Sequence, residues 1–387
     1  MRRQLVSWRP GRTAVAVLTT AALLAAGCSS DEGSGERRES PSESGADSTG
    51  PGASAPPAKG SVTVERTVAT GLKSPWGLAP LPGGDLLVSS RDTGEILRVD
   101  VGSGEKTKIG SVPGTDPGGE GGLLGLALRS DDADMLYAYV TTASDNRVVR
   151  MLYDPDKKPG NQLGAPDTIF KDIPKGTVHN GGRIAFGPDK MLYVGTGETG
   201  DKGLAQDKDS PAGKILRMTP DGEPPAHGNP RADSVVYSYG HRNVQGLAWD
   251  AENRLWAAEF GQDTWDELNL IRPGRNYGWP RVEGESDERG FVDPVAQWRT
   301  DEASPSGIAV AEGSVWMAAL RGERLWRVPL RGTEPAAKPQ DFLQGKYGRL
   351  RTVVSAGDDS LWLVTSETDS RGTPKKGDDR VLELTVR

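Results

Sequence analysis

The sequence predicts an all-β chain: a six-bladed β-propeller of four-stranded antiparallel blades. Three observations carry that prediction. One unit recurs six times: a Gly or polar residue, two or three apolar residues, a turn rich in Gly, Asp and Pro, then an apolar-aromatic strand. The copies read WGLAPLPGGDLLVSS from Trp76, LGLALRSDDADMLYAYV from Leu124, GRIAFGPDKMLYVGTG from Gly182, QGLAWDAENRLWAAEF from Gln245, SGIAVAEGSVWMAAL from Ser306 and RTVVSAGDDSLWLVTS from Arg351. Their aligned positions Ala79, Ala127, Ala185, Ala248, Ala309 and Val354 are separated by 48, 58, 63, 61 and 45 residues. That period is too long for a leucine-rich or helical repeat and suits a four-stranded blade with long loops. Finally, 51 Gly and 28 Pro in 387 residues mark a turn-dense fold with few long helices.

In chain order, Arg2, Arg3, Arg9 and Arg12 precede the apolar run AVAVLTTAALLAAG, which leads to Cys28, the only cysteine. This predicts a signal peptide over 1–27 whose end resembles the lipobox of bacterial lipoproteins. In that class the cysteine is lipidated and becomes the new N-terminus. Ala25 stands where the pattern prefers Leu, with Leu24 adjacent. The run is too short and Ala-rich to prefer a permanent membrane span, so the expectation is an exported lipoprotein anchored through Cys28 to the extracytoplasmic side of the cell membrane. Arg2-Arg3 suits a twin-arginine signal as well as an ordinary basic leader. With no second cysteine the exported chain has no intrachain disulfide. Residues 28–60 contain almost nothing apolar and are expected to form a disordered tether.

The propeller is assigned to 61–387. Its Gly and Ala residues at the start of each unit fit inner strands crowded round a central channel. Short strands ending in Arg then an apolar residue follow four of the units: ILRV, VVRM, ILRM and LWRV. The alternating segments SVTVERTV from Ser61 and RVLELTV from Arg380 are expected to pair in one blade and close the ring, because a lone repeat leaves an apolar face exposed. A two-sheet sandwich is the alternative, but six copies of one motif favour the propeller.

The net charge of −7, the pI near 5.3 and the lack of a long basic block argue against nucleic acid as the main partner. The basic residues that matter stand at recurring places. Arg242, Asn243 and Gln245 lie just before an apolar run, which would bring a cation and two amides to a strand's entry. That suits a polyanionic ligand. Arg321 follows the fifth unit, and Arg349 and Arg351, two apart, would point to one side of the sixth. Gly261 and Gln262 follow the run AAEF, where backbone carbonyls could serve a hard cation.

Of the three histidines, His179 sits beside Gly181 and Gly182 at an expected mouth of the channel. It could be a general base or merely bond a neighbouring carbonyl in a tight loop; both readings stay open on the residues alone. His241 is more in keeping with a shaping role, and His227 with a loop. The tryptophans at repeat positions, Trp76, Trp249, Trp256, Trp316 and Trp362, are core first. Trp298 lies in a long insertion and could stack on a sugar or anchor a loop. The segment GTGETG from Gly195 has glycines only vaguely like a dinucleotide loop and lies in a β-repeat, so no nicotinamide site is expected.

The stretch from Tyr237 to Pro280, with GHRNVQG, EFG, DELN and GRNYGWP, resembles the soluble quinone-dependent glucose and aldose dehydrogenases, the glucose/sorbosone dehydrogenase family. The resemblance runs from about Thr70 to Val386. It implies oxidation of an aldose at C1 to the lactone, with pyrroloquinoline quinone (PQQ) and Ca²⁺ as cofactors and an external electron acceptor. By resemblance, His179 is the base; Arg242, Asn243, Gln245, Arg321, Arg349 and Arg351 hold the cofactor, Arg242 also acting in catalysis. Gly261 and Gln262 give carbonyls to calcium, and Glu267 and Tyr277 match a second calcium site, although a strand-end Glu267 paired with an Arg is an equal reading. Glu120 is assigned to the substrate side. Three departures stand out: Val178 where the glucose enzymes have Asp, Glu120 where they have Gln, and Arg321 where they have Lys. A non-redox propeller that binds carbohydrate or hydrolyses lactones with calcium is the alternative.

Overall fold

Each of the six repeats folds as one blade. In the computed structural model, which describes residues 55–129 and 131–387, the inner strands are Pro75–Pro80, Leu123–Arg129, Ile184–Phe186, Val244–Trp249, Pro305–Ala311 and Leu350–Ser355, each leading its own antiparallel sheet. Blades 1 to 4 run outward in chain order through four strands, while blade 5 carries two short outer strands, Glu334–Pro335 and Gln340–Phe342. The signal segment and Cys28 lie outside the described residues. Among those residues the one helical element is a turn of 3₁₀-helix at Lys202–Ala205.

A shared register explains the repeat. Ala79, Ala127, Ala185, Ala248, Ala309 and Val354 pair with Leu87, Tyr137, Tyr193, Trp256, Trp316 and Trp362 on the second strands. Those pair in turn with Arg98, Arg150, Arg217, Leu270, Arg327 and Glu383. The recurrent arginine thus lies beside a bulky apolar residue, with guanidinium-to-ring distances of 5.9 Å for Arg217 on Tyr193 and 5.8 Å for Arg327 on Trp316. Trp256 and Trp316 are fully buried in clusters that join blades 4, 5 and 6. Burying roughly 200 Å² of each at about 25 cal/mol per Å² gives about 5 kcal/mol per ring before chain entropy. That gain exists only when neighbouring blades are present.

The inner strands meet at glycines. A Cβ on Gly77, Gly125 or Gly246 would lie 2.6, 2.3 or 2.4 Å from a carbonyl oxygen of the next blade, and one on Gly307 would lie 2.8 Å from the Thr352 Cα. No side chain fits there. The same position holds Arg183 in blade 3 and Thr352 in blade 6.

The first strand, Val62–Ala69, pairs with the last, Val381–Val386, as the outer strand of blade 6. This is the closure expected from the sequence. Residues just before Ser61 also touch blade 5: the Arg327 guanidinium donates to Pro57 O at 3.0 Å and Gly60 N–H donates to Gln340 Oε1 at 2.8 Å.

Candidate active site

Inner strands begin, and second strands end, at the same end of the ring, so the loops that lead into the inner strands and those that follow the second strands surround its axis. There they enclose a cavity of about 360 Å³. It gathers His179 and Glu120, Arg242 with Asn243 and Gln245, Gly261 and Gln262, and Arg321, Arg349 and Arg351.

His179 takes a left-handed backbone, φ 54°, a conformation disfavoured for a residue with a side chain. Two carboxylates hold it there. Its backbone N–H donates to Glu120 Oε2 at 2.8 Å, and its ring Nδ1 lies 2.7 Å from Glu198 Oε1. A carboxylate accepts, so Nδ1 carries the hydrogen and Nε2 is left as the acceptor, with no protein partner among the described residues. Glu198 is 1 % exposed and its second oxygen is unpaired among the described residues.

Arg242 is fixed by its backbone N–H on Glu259, by Nη1 on Phe260 O at 3.2 Å, and by its guanidinium 5.5 Å from the Trp279 ring. Its buried Nε has no partner among the described residues. Burial pushes the guanidinium pKa down, against the surrounding Glu198, Glu259, Glu283 and Glu120. Asn243 Oδ1 accepts Gly181 N–H at 3.0 Å, and Gln245 Oε1 accepts from Arg351 Nη1 and Ser306 Oγ, both at 3.0 Å. Arg349 and Arg351 point to one side, as their spacing predicts, and share Asp369 Oδ2 at 3.0 Å each. Burial would raise the Asp369 carboxyl, but Arg351 and Arg349 outweigh it and hold it at about 2. At the cavity, the Arg349 Nε is a second buried guanidinium nitrogen without a partner among the described residues. Arg321 is exposed and has no ion-pair partner among the described residues.

Gly261 and Gln262 form a tight turn at the cavity wall. Glu283 Oε1 accepts the N–H groups of Gln262, Asp263, Thr264 and Trp265 at 2.7 to 3.1 Å, and Asp266 Oδ1 takes that of Gly261 at 2.8 Å. Asp266 is pushed up to about 7 by burial. Glu267 and Tyr277 share a second hollow of about 10 Å³ with Glu259 and Glu283, room for about one water. Burial and the nearby Glu259 push Glu267 up to about 8. It is not paired with an arginine: Gly284 N–H and Asn269 Nδ2 occupy its oxygens at 2.7 and 2.9 Å. The Tyr277 hydroxyl is spent on Leu270 O and Arg272 N–H. Among the described residues no three His, Cys, Asp or Glu side chains converge as a metal site.

Trp298, expected to stack on a sugar or to anchor a loop, does not line the cavity. It lies in the outer strand Ala296–Arg299 of blade 4, 4 % exposed and 5.6 Å from the Trp326 ring, away from the cavity. The insertion returns to the sheet as a strand, so its tryptophan packs core. Glu120 does stand at the cavity, where it also pairs with Arg371 at 2.8 Å. His241 is sealed, its Nδ1 2.7 Å from Glu259 and Nε2 2.8 Å from Ser238 Oγ, stacked 4.7 Å from the Tyr277 ring.

Sequence reasoning missed Glu198, Asp266, Asp369 and Arg371. One signal was available: second strands leave a charged residue at the mouth where they end. Glu259 closes Leu255–Glu259, Glu198 follows Leu192–Gly195 and Asp369 follows Ser360–Thr365.

The glucose/sorbosone dehydrogenase family model matches residues 72–373. In structure the chain is similar to the PQQ-bound form of aldose sugar dehydrogenase from Streptomyces coelicolor: 72% identity, TM-score 0.85, covering 86% of this chain and 100% of that one. In sequence it is similar to quinoprotein glucose dehydrogenase B of Acinetobacter calcoaceticus, 30% identical over 64% of this chain and 60% of that protein. The aldose sugar dehydrogenase YliI of Escherichia coli is 28% identical over 77% of this chain and 88% of its own length.

Proposed function

The chain belongs to the glucose/sorbosone dehydrogenase family, and from that premise we propose that it oxidises an aldose at C1 to the lactone, with PQQ and Ca²⁺ held in the axial cavity. The observation that carries this is the set of four guanidiniums, Arg242, Arg321, Arg349 and Arg351, converging on one cavity of an acidic protein. Two of them present buried, unpartnered Nε atoms. Such a set fits a ligand with three carboxylates and an ortho-quinone.

Arg242, Asn243, Gln245, Arg321, Arg349 and Arg351 would hold the quinone. The carbonyls of Gly261 and Gln262 would hold calcium, and the hollow between Glu267, Tyr277 and Glu259 would take a second cation, whose charge would keep the buried carboxylates ionised. When bound, the quinone supplies a two-electron acceptor and calcium polarises its carbonyl.

The remaining chemistry belongs to the chain. His179 Nε2 takes the proton of the C1 hydroxyl, while Glu198 fixes the tautomer and stabilises the imidazolium that forms. Arg242 provides positive charge from a site where burial weakens screening. Glu120 accepts from sugar hydroxyls while supporting the His179 backbone. Departure from Asp at Val178 is compatible with this role, since Glu198 holds the ring. Electrons leave to an external acceptor, and Cys28 anchors the exported protein to the membrane.

The test is reconstitution. Apoprotein titrated with PQQ and Ca²⁺ should bind the quinone, and aldose addition should then reduce a dye. Binding without dye reduction for any aldose would sink the dehydrogenase reading, and no binding would favour a carbohydrate-binding or lactone-hydrolysing propeller.

A further inference from the structure

Blade 3 breaks the ring of glycines. Where blades 1, 2, 4 and 5 place Gly77, Gly125, Gly246 and Gly307 against the neighbouring inner strand, blade 3 places Arg183, which is buried. The side chain crosses the axis. Its Nε donates to Gln245 O in blade 4 at 2.7 Å and its Nη2 to Thr352 Oγ1 in blade 6 at 2.9 Å. Its guanidinium lies 4.4 Å from the ring centroid of Trp76 in blade 1. Thr352 Oγ1 donates onward to Trp76 O at 2.6 Å.

No carboxylate pairs with Arg183 among the described residues. The charged neighbour it does have is another cation, Arg351, whose guanidinium lies over the same Trp76 ring at 5.8 Å. Arg351 is compensated by Asp369 at 3.0 Å. A buried guanidinium without a counter-charge is costly, and four other blades meet their neighbour at this position through a glycine where no side chain fits. Its two hydrogen bonds and its place at the Trp76 ring tie blade 3 to blades 4, 6 and 1, but none of these contacts neutralises its charge. Trp76 and Gln245 both line the axial cavity, so Arg183 stands directly behind two residues of its wall.

We infer that Arg183 is a positioning residue for the anionic cofactor: an uncompensated cation beneath the cavity floor whose charge is balanced only when a polycarboxylate occupies the cavity above it. It acts through space, by its charge, from behind Gln245 and Trp76. The inference rests on the reading that PQQ occupies this cavity. In the empty protein Arg183 and Arg351 repel each other; with a trianion above them the same pair becomes attractive to the ligand, and the site trades stability for affinity.

Two variants of the full chain test this, each titrated with PQQ in the presence of Ca²⁺ and each melted without ligand. Arg183→Met fills the same space without charge. It is expected to melt as apoprotein no lower than wild type and to bind PQQ at least tenfold more weakly. Arg183→Lys keeps the charge but cannot make both forked hydrogen bonds, and is expected to recover most of the lost affinity. If Arg183→Met binds PQQ within twofold of wild type, the inference is overturned. It is also overturned if Arg183→Lys binds as weakly as Arg183→Met, because the fork rather than the charge would then be what matters. Failure of wild type itself to bind PQQ would remove the underlying reading, an outcome distinct from both.

Discussion

Two histidines in this molecule carry the same local device in opposite settings. His179 and His241 each place Nδ1 2.7 Å from a buried glutamate, Glu198 and Glu259 respectively. At His241 the other nitrogen is closed off by Ser238 Oγ, the ring is stacked on Tyr277, and the side chain is fully buried. At His179 the side chain is 17 % exposed at the cavity, and Nε2 has no hydrogen-bond partner among the described residues. A His–Glu pair is therefore not by itself a catalytic device. What distinguishes the two is the free acceptor at Nε2 and the ligand-sized space in front of it. The sealed pair builds the site instead, since Glu259 also holds the Arg242 backbone N–H.

The largest separation is expected from the two glutamates. Glu198→Gln removes the group that fixes the tautomer and balances the imidazolium, so kcat should fall by about 10²–10⁴ with PQQ affinity little changed. Glu259→Gln should instead weaken PQQ binding and stability while sparing the chemical step, which titration and single-turnover rates would separate.

Next comes His241→Ala, which leaves Glu259 buried beside an empty space. It should cost about 2–4 kcal/mol of unfolding free energy, read by denaturant melts, while folded protein keeps its turnover. Ser238→Ala opens the sealed Nε2 without giving it a cavity. A loss of about 1 kcal/mol and no change in rate are expected; a changed rate would mean that the two sites communicate.

The smallest effect belongs to Glu120→Gln. A glutamine oxygen can still accept the His179 N–H but gives up the Arg371 ion pair, so a change in KM of about threefold at constant kcat is expected, as for a partly exposed pair. A fall in kcat would show that Glu120 sets the base's position.

How much of this was legible follows from register. The inner glycines, the aligned alanines and the third-strand arginines recur because each occupies one fixed place in a blade, and a fixed place leaves a period in the sequence. Arg242, Gln245, Arg349 and Arg351 were legible for a related reason: they flank inner strands whose starts the repeat marks, and those starts form the mouth. Glu198 had no such marker. It sits in GTGETG, beyond the end of a four-residue strand, and its partner is 19 residues away. Asp369 is likewise defined by two arginines at the start of an earlier strand, Arg349 just before it and Arg351 within it. Trp298 was misplaced because the insertion from residue 272 to 295 carries no repeat that would announce the strand after it. Arg183 was visible as a residue but not as an exception, since its meaning depends on the glycines that the other blades put in its place.

The measurement that bears most directly on this account is stopped-flow absorbance of PQQ- and Ca²⁺-loaded protein mixed with saturating aldose, run on wild type, His179→Ala and His241→Ala. Wild type and folded His241→Ala should reduce the quinone at similar rates, and His179→Ala should bind quinone and sugar yet stay oxidised, at least about 10²-fold slower. Reduction by His179→Ala at the wild-type rate would contradict the account and remove the open histidine from the chemistry.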